Sequence, residues 1–426
     1  MSASPTPTDE PTSTDEPTPT DEPTPIDEPR IVVVGSGWHF LSGISYYTCR
    51  LSNALGERFD VGAVLMRRLL PKRLYPGRAR VGQRLSDLRY EVPVFDGVDW
   101  FAIPSLLRAI RFVGRRQPDV LVLQWWTGTV LHSYLALALA ARLRGARVVI
   151  EFHEVQDTGE AAHRWASLYT RWMIKPLLRL TSGVVVHSRF DLVALLSAYG
   201  LGQVPAQIAL HGPYDHHSVV PAARRPSEAG VCRLLFFGTI RPYKGLEDLV
   251  EAFAGLPASY HLTVVGETWE GWDLPARLIA QSPAAGRITL VNRYVADAEV
   301  DHYFGAADVV VLPYRRSSAS GPLHIAMSHG LPVVVTAVGG LVEAAEGYSG
   351  AVLTPAAAPG DLAVAIERAA GLTARRHADP SSWERTVSAY ARLLEEIGVP
   401  MTVSGQELLT ATSSNQIVPE LAPDLR

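Results

Sequence analysis

Residues 312–343 read LPYRRSSASGPLHIAMSHGLPVVVTAVGGLVE, and this segment restricts the fold more than any other. A buried strand end leads into a Ser/Gly turn, a helix, a second apolar strand and a Gly-Gly turn. Short runs that are apolar and β-branched throughout suit parallel sheets covered on both faces. The two turns therefore fall at the carboxyl ends of parallel strands, where open α/β sheets place their ligands. The Ser320-Gly321 turn opens a helix, so free N–H groups and the positive helix end face the crevice, which suits a phosphate.

The same alternation runs along most of the chain. IVVVG at residues 31–35 reads as a first strand, residues 45–55 as a helix and residues 60–65 as a second strand. Residues 120–123, 148–152 and 183–187 are three more strands, with helices before or between them. The longest apolar stretch, 130–143, contains His132, Ser133 and Arg142; it is too short to span a bilayer and reads as a buried helix. Residues 205–230 are rich in Pro, His, Ala and Arg, and a second series follows. Its strands are 234–238, 261–266, 288–291, 309–313 and 333–336; its helices are 245–255, 273–281, 297–306, 323–329 and 341–345. The fold class is α/β, with two facing Rossmann-like doubly wound domains and a cleft between them. The expected domains are 30–210 on the acceptor side and 231–380 on the nucleotide side, joined by a linker at 211–230. Residues 381–397 are amphipathic through Trp383, Val387, Tyr390, Leu393 and Leu394, so 381–399 is expected as a closing helix and 400–426 as a flexible tail.

Residues 1–29 repeat PTPTDE with small variations. Frequent Pro and no apolar periodicity preclude a packed core there, and an acidic disordered tail is expected. That tail holds eight acids and no base, so the net charge of −4 hides a body carrying about four positive charges in excess. Much of the excess lies between Arg67 and Arg116. Cys49 and Cys232 read as two buried thiols in a reducing compartment. No basic region followed by an apolar run is seen at the N-terminus, so no signal peptide is expected.

Several motifs sit at strand ends. GSGWHF, residues 35–40, fails as a dinucleotide fingerprint because Phe40 holds the third glycine position. Ser42-Gly43-Ile44 lets a ligand approach the backbone and a helix N-terminus, or is simply a tight turn. FGTIRPYKG, residues 237–245, sets Arg241 and Lys244 just past a strand, where two cations suit a diphosphate. EFHE places His153 at the sheet's carboxyl edge in a substrate or catalytic role. No second His or Cys lies four residues on, which argues against zinc. VVGE ends another strand with Glu267, which meets a ligand or caps the next segment. HGPYDHH, residues 211–217, reads as an interdomain loop rather than a metal site.

With these pieces placed, residues 30–398 resemble the retaining glycosyltransferases of family 4, with two Rossmann-like domains of the GT-B type. The likeness rests on the Ser42-Gly43-Ile44 loop, FGTIRPYKG, AADVVVLPY and HGLPVVVTAVGGLVE. It implies that Arg241 and Lys244 hold the donor's diphosphate. Ser320, Gly321 and Leu323 match the backbone stretch that meets phosphate and sugar, and Gly43 the loop that closes over the phosphates. Glu343 matches a carboxylate near the nucleotide, and His153 a histidine beside the reacting sugar carbon. Family members commonly carry two glutamates eight residues apart; here those positions are Ser317 and Ile325, and the usual arginine after the loop glycine is Thr239. This chain thus resembles a subgroup without the paired glutamates.

The implied reaction moves a sugar from a nucleotide-diphosphate sugar, the co-substrate, to an acceptor hydroxyl with retention at the anomeric carbon. The leaving diphosphate takes the acceptor's proton on the same face, with no metal and no further cofactor. The acceptor is a glycan, a lipid-linked sugar or a small molecule, as in polysaccharide or glycoconjugate synthesis. Alternatives are a sugar epimerase or phosphorylase of the same fold, or a non-catalytic binding scaffold. The basic first domain, with Trp100, Phe101, Trp125 and Trp126 nearby, suggests peripheral contact with an anionic membrane and a cytoplasmic location at its inner face. No nucleic-acid recognition motif is present.

Overall fold

The computed structural model describes residues 28–39, 43–68, 88–99, 102–154, 164–214, 230–268, 272–317 and 319–401. The acidic repeat, Ser42, Lys72, Arg73, Arg78, Arg80, Arg84, Trp100, Phe101, residues 215–229 of the linker and the tail after 401 lie outside the described residues.

The first lobe runs β1 (Arg30–Ser36), α1 (Gly43–Gly56), β2 (Asp60–Arg68), β3 (Val94–Asp99), α2 (Ile103–Arg116), β4 (Val120–Trp125), α3 (Leu131–Arg142), β5 (Arg147–Phe152), α4 (Arg164–Leu180), β6 (Gly183–Val186), α5 (Arg189–Tyr199) and β7 (Ala206–Ile208). Its strand order is β3-β2-β1-β4-β5-β6-β7, parallel throughout. The second lobe runs β8 (Cys232–Phe237), α6 (Leu246–Ala254), β9 (Tyr260–Val265), α7 (Leu274–Gln281), β10 (Ile288–Val291), α8 (Asp297–Ala306), β11 (Val309–Leu312), α9 (Gly321–Ser328), β12 (Val333–Thr336), α10 (Leu341–Ala344), β13 (Ala351–Thr354) and α11 (Pro359–Ala370). Its order is β10-β9-β8-β11-β12-β13, also parallel. In each sheet the order reverses beside the lobe's first strand, which opens a crevice at the carboxyl edge.

Each sheet buries both faces. Val32, Val34, Leu121, Leu123, Val148 and Ile150 face one core of the first lobe, and Ile31, Val33, Val120, Val122 and Val149 face the other. The second core is completed from far along the chain. Helix α12 (Trp383–Glu396) returns to the first lobe and sets Val387, Tyr390, Leu393 and Leu394 against Ile31, Val33, Leu51 and Leu55. Gly183 on β6 admits this helix: a Cβ there would stand 2.9 Å from Leu393 Cδ1.

Several elements carry sequences that the periodicity does not assign. β3 is VFDGVD, whose acids and glycine resemble a turn; its pairing with β2 shifts register around Asp96 and Val98. β7 is three residues long and lies inside the interval read as linker-like. β13 and α11 complete the second lobe. The basic excess is also partly internal. Arg67 and Arg68 both pair with Asp99, whose side chain is fully buried, and Arg116 pairs with Asp60. Cys49 and Cys232 are both free thiols; Cys49 is buried, while Cys232 is only half-buried, contrary to the reading of two buried thiols. Among the described residues no helix is long and apolar enough to cross a membrane.

Leu393→Ala should destabilise the first lobe by about 2–5 kcal/mol through the cavity it leaves between α12 and the sheet. Urea unfolding followed by circular dichroism measures this.

Candidate active site

The carboxyl edges of the two sheets meet. In the first lobe Gly43 opens α1 after β1, His153 follows β5, and His187 follows β6. In the second, Arg241 and Lys244 follow β8, Glu267 follows β9, Ser320 and Gly321 follow β11, and Glu343 lies in α10 after β12.

Glu151 organises the first side. It is fully buried at the end of β5; Tyr47 donates to its Oε1 at 2.6 Å and Gln124 to its Oε2 at 3.0 Å. His153 Nε2 lies 3.6 Å from Oε2, and His187 Nε2 lies 3.9 Å from Oε1. Burial alone would raise the Glu151 carboxyl; contacts with His153, His187 and Tyr47 outweigh it and hold it at about 2. Burial pushes the Tyr47 hydroxyl well up, with Glu151 adding to the effect. Burial pulls His153 below its ordinary value, against the opposing pull of Glu151. His153 Nδ1 and His187 Nε2 are 3.1 Å apart, and His187 Nδ1 meets the Ala209 carbonyl at 2.9 Å. His153 is thus held through Nδ1, while its buried Nε2 faces Glu151 beyond hydrogen-bond distance.

Glu151, His153 and His187 are also a group whose ligand atoms lie within 4.8 Å of one another. The sequence reading found no second metal ligand because His187 lies 34 residues from His153, on the neighbouring strand. Each Glu151 oxygen accepts one hydrogen bond, and the cluster positions His153 beside the carboxylate.

On the second side a 3-10 turn at Pro242–Lys244 carries Lys244 beneath the sheet edge. Its Nζ lies 5.1 Å from the Tyr314 ring centroid. A Cβ at Gly238 would stand 2.9 Å from that Nζ and 3.5 Å from Pro322, which places the ammonium beside the first turn of α9. Burial pulls the Lys244 ammonium below its ordinary value, with Arg241 nearby adding to this. Ser320 caps α9: its Oγ accepts from the Leu323 amide at 3.3 Å, and the Ser320 hydroxyl donates to the Tyr314 hydroxyl at 3.4 Å. The Leu323 amide also meets the Ser320 carbonyl, and its side chain is buried in the core. Pro322 has no N–H and the Leu323 amide is engaged by Ser320, which leaves the Gly321 amide at the start of this turn. Glu267 contributes its carbonyl, which accepts from the Ile240 amide at 2.9 Å and fixes the start of the Arg241 loop.

Glu343 does not face this turn. Its carboxylate accepts from the Arg189 amide at 2.7 Å and the Phe190 amide at 3.0 Å, capping α5 of the opposite lobe. Gly43 and Gly321 come together instead: a Cβ at either would stand 3.0 Å and 3.5 Å, respectively, from the Tyr214 hydroxyl. Tyr214 and His211 were read only as interdomain loop, and His324 had no assigned role; they are joined by stacking. His211 lies 5.4 Å from Tyr214 and 4.7 Å from His324, with nearly parallel planes. Burial pulls His211 well down, helped by His324 and His187, and pulls His324 down to about 4, helped by His187.

Opposed Rossmann-like lobes, with cations and a helix N-terminus at the cleft, define a GT-B type fold. Two family models match the chain: "Glycosyl transferase 4-like domain" over residues 42–211 and "Glycosyl transferases group 1" over residues 232–371. The chain belongs to this glycosyltransferase family. A D-inositol 3-phosphate glycosyltransferase of Geodermatophilus obscurus is 33% identical over 199 residues, 42% of this chain and 43% of that one. A GDP-mannose:glycolipid 4-beta-D-mannosyltransferase of Xanthomonas campestris pv. campestris is 34% identical over 262 residues, 55% of this chain and 66% of that one. The chain spans about half the length of the curated relatives it matches. Among solved structures, Anabaena HepE in complex with UDP has a TM-score of 0.60 at 17% identity, covering 91% of this chain and 99% of that one. Sucrose-phosphate synthase from Thermosynechococcus elongatus has a TM-score of 0.57 at 18% identity, covering 90% and 100%.

The histidines set a pH dependence. His324 is about 4 in the folded chain against an ordinary 6.5, so the unfolded chain takes up the proton first as pH falls. Stability therefore declines as pH drops from 6.5 towards 4, and His324→Leu should flatten the slope in that window. Glu151, depressed to about 2 from 4.5, contributes stability above 4.5 that is lost only below it. Thermal melts from pH 7 to pH 3 would separate the two.

Proposed function

We propose that the chain transfers a sugar from a nucleotide-diphosphate sugar to an acceptor hydroxyl with retention of anomeric configuration. The observation that carries this reading is the approach of the Lys244 ammonium to the first turn of α9, with Arg241 on the same loop. In the transfer, negative charge grows on the departing diphosphate. Arg241, Lys244 and the Gly321 amide supply fixed positive potential where that charge develops, before the reaction begins. The diphosphate oxygen that leaves the sugar accepts the acceptor's proton on the same face. His153, held by Glu151 and His187, lines the opposite lobe beside the reacting carbon.

Two comparisons bear on the donor. The Anabaena neighbour was crystallised with UDP and with UDP-glucose, and the Xanthomonas relative is named for GDP-mannose. UDP and GDP are therefore the diphosphates to test. Lys244→Ala should weaken binding of the preferred one by about tenfold or more in calorimetry, from loss of a charge-assisted contact. Turnover with an acceptor then distinguishes transfer from a binding scaffold. Proton NMR of the product decides configuration, and an inverted linkage overturns retention.

The acceptor side faces a membrane in this reading. Exposed Ile103 and Leu107 on α2 and exposed Leu168, Tyr169 and Trp172 on α4 lie among Arg108, Arg111, Arg171, Lys175 and Arg179. Both helices pack against α3, so they share one face of the lobe. Lys175 Nζ sits 4.4 Å from the Trp172 ring centroid, pairing a charge with an apolar wedge as interfacial segments do. The glycolipid acceptor named for the Xanthomonas relative agrees with such a face. Co-sedimentation with anionic vesicles should fall with added salt and in Trp172→Ala; indifference to both removes the membrane from the account.

A further inference from the structure

The first turn of α9 carries a group that the transfer reading leaves unused. His324 is 3% exposed, and neither of its ring nitrogens has a hydrogen-bond partner among the described residues. Its ring stacks on His211 with planes 23° apart, and His211 stacks on Tyr214 at 8°. His211 and Tyr214 follow β7 of the first lobe, so His324 stands where the lobes meet, one turn into α9 from the Gly321 amide. A buried polar group without a partner lowers stability. That cost attaches here to a residue at the mouth of the expected diphosphate site.

The chemistry of the ring narrows what would relieve it. A neutral imidazole presents one donor nitrogen and one acceptor nitrogen. A sugar hydroxyl both donates and accepts, so it can bond either nitrogen without a change of charge. Other polar groups on this turn are spent. The Ser317 hydroxyl donates to the Ala319 carbonyl at 2.8 Å, and Ser320 caps the helix. Ile325 lies in the apolar core. His324 is therefore the side chain here whose hydrogen-bonding capacity is still open.

We propose that His324 reads a hydroxyl of the transferred sugar and so sets donor specificity. The inference rests on the nucleotide-sugar reading and deepens it. When the lobes part, His211 leaves the ring; the sugar, anchored through its diphosphate at Lys244 and Gly321, brings a hydroxyl to the imidazole edge.

The test compares wild type, His324→Leu and His324→Phe by calorimetry with UDP, GDP, UDP-glucose and GDP-mannose, alongside thermal unfolding. The phenylalanine variant keeps a ring on His211 and removes both nitrogens, so it carries the test if the leucine variant fails to fold. Both variants should melt at or above the wild-type temperature, since the unpartnered nitrogens are gone. They should keep the affinity for the bare diphosphate within about twofold and lose about tenfold for the preferred nucleotide sugar, the size of one hydrogen bond. Unchanged affinity for the nucleotide sugar, or an equal loss for diphosphate and nucleotide sugar, overturns the proposal while leaving the transferase reading intact. Wild type that binds none of the four overturns both.

Discussion

A carboxylate without solvent, Glu151, holds the first lobe's side of the cleft together. Burying a charge is costly unless hydrogen bonds replace its water. Here Tyr47 on α1 and Gln124 on β4 supply hydrogen bonds, and the rings of His153 after β5 and His187 after β6 lie alongside at 3.6 Å and 3.9 Å. Each of them must be in register for the charge to be tolerated. The burial penalty therefore fixes the relative heights of three parallel strands and one helix at their carboxyl ends. Gly35 belongs to the same constraint, because a Cβ there would stand 2.2 Å from Gln124 Oε1. Such a network ties the positions of these elements to one another.

The second lobe solves the opposite problem. There the cations lie at the sheet edge beside a helix N-terminus. Lys244 is held low by burial and by Arg241, an arrangement that an arriving anion would relieve. Arg315, next along the chain from Tyr314, is instead bound by Asp248 through Nη2 at 2.8 Å and Nε at 2.9 Å. The contrast shows two uses of positive charge on one sheet edge: Arg315 locks the loop, and Lys244 is presented to the cleft.

Apolar strands made the architecture readable in sequence, because a parallel strand buried on both faces leaves a continuous run of Val, Ile and Leu. β1, β4, β8, β11 and β12 all carry that mark. β3 does not, since an edge strand with Asp96, Gly97 and Asp99 need bury only part of its length. The places of the Arg241–Lys244 loop and of the Ser320-Gly321 turn were legible for the same reason: each follows such a run. The histidines were not. His153, His187, His211 and His324 lie far apart in sequence and meet only through the strand order and the approach of the lobes. Glu343 shows the limit of position-by-position transfer: its place after the Gly-Gly turn is as expected, yet its carboxylate is spent on the α5 amides.

The lobes are joined at the cleft by polar edges and caps and also by apolar packing, in which Tyr46, Cys49, Leu88 and Tyr214 of the first lobe share a buried cluster with Tyr314 and Leu323 of the second. The α5 N-terminus rests on Glu343, Phe190 touches the Gly339 turn, and the Tyr214–His211–His324 rings stack in series. Contacts of this kind are made with groups that a polar ligand can replace one for one. Helix α12 reaches the same region from outside: the Trp383 ring lies 5.5 Å from Tyr47, and its indole N–H donates to the Pro213 carbonyl at 3.1 Å. Separating the lobes would therefore expose apolar surface as well as polar edges, so the cleft is held by both kinds of contact.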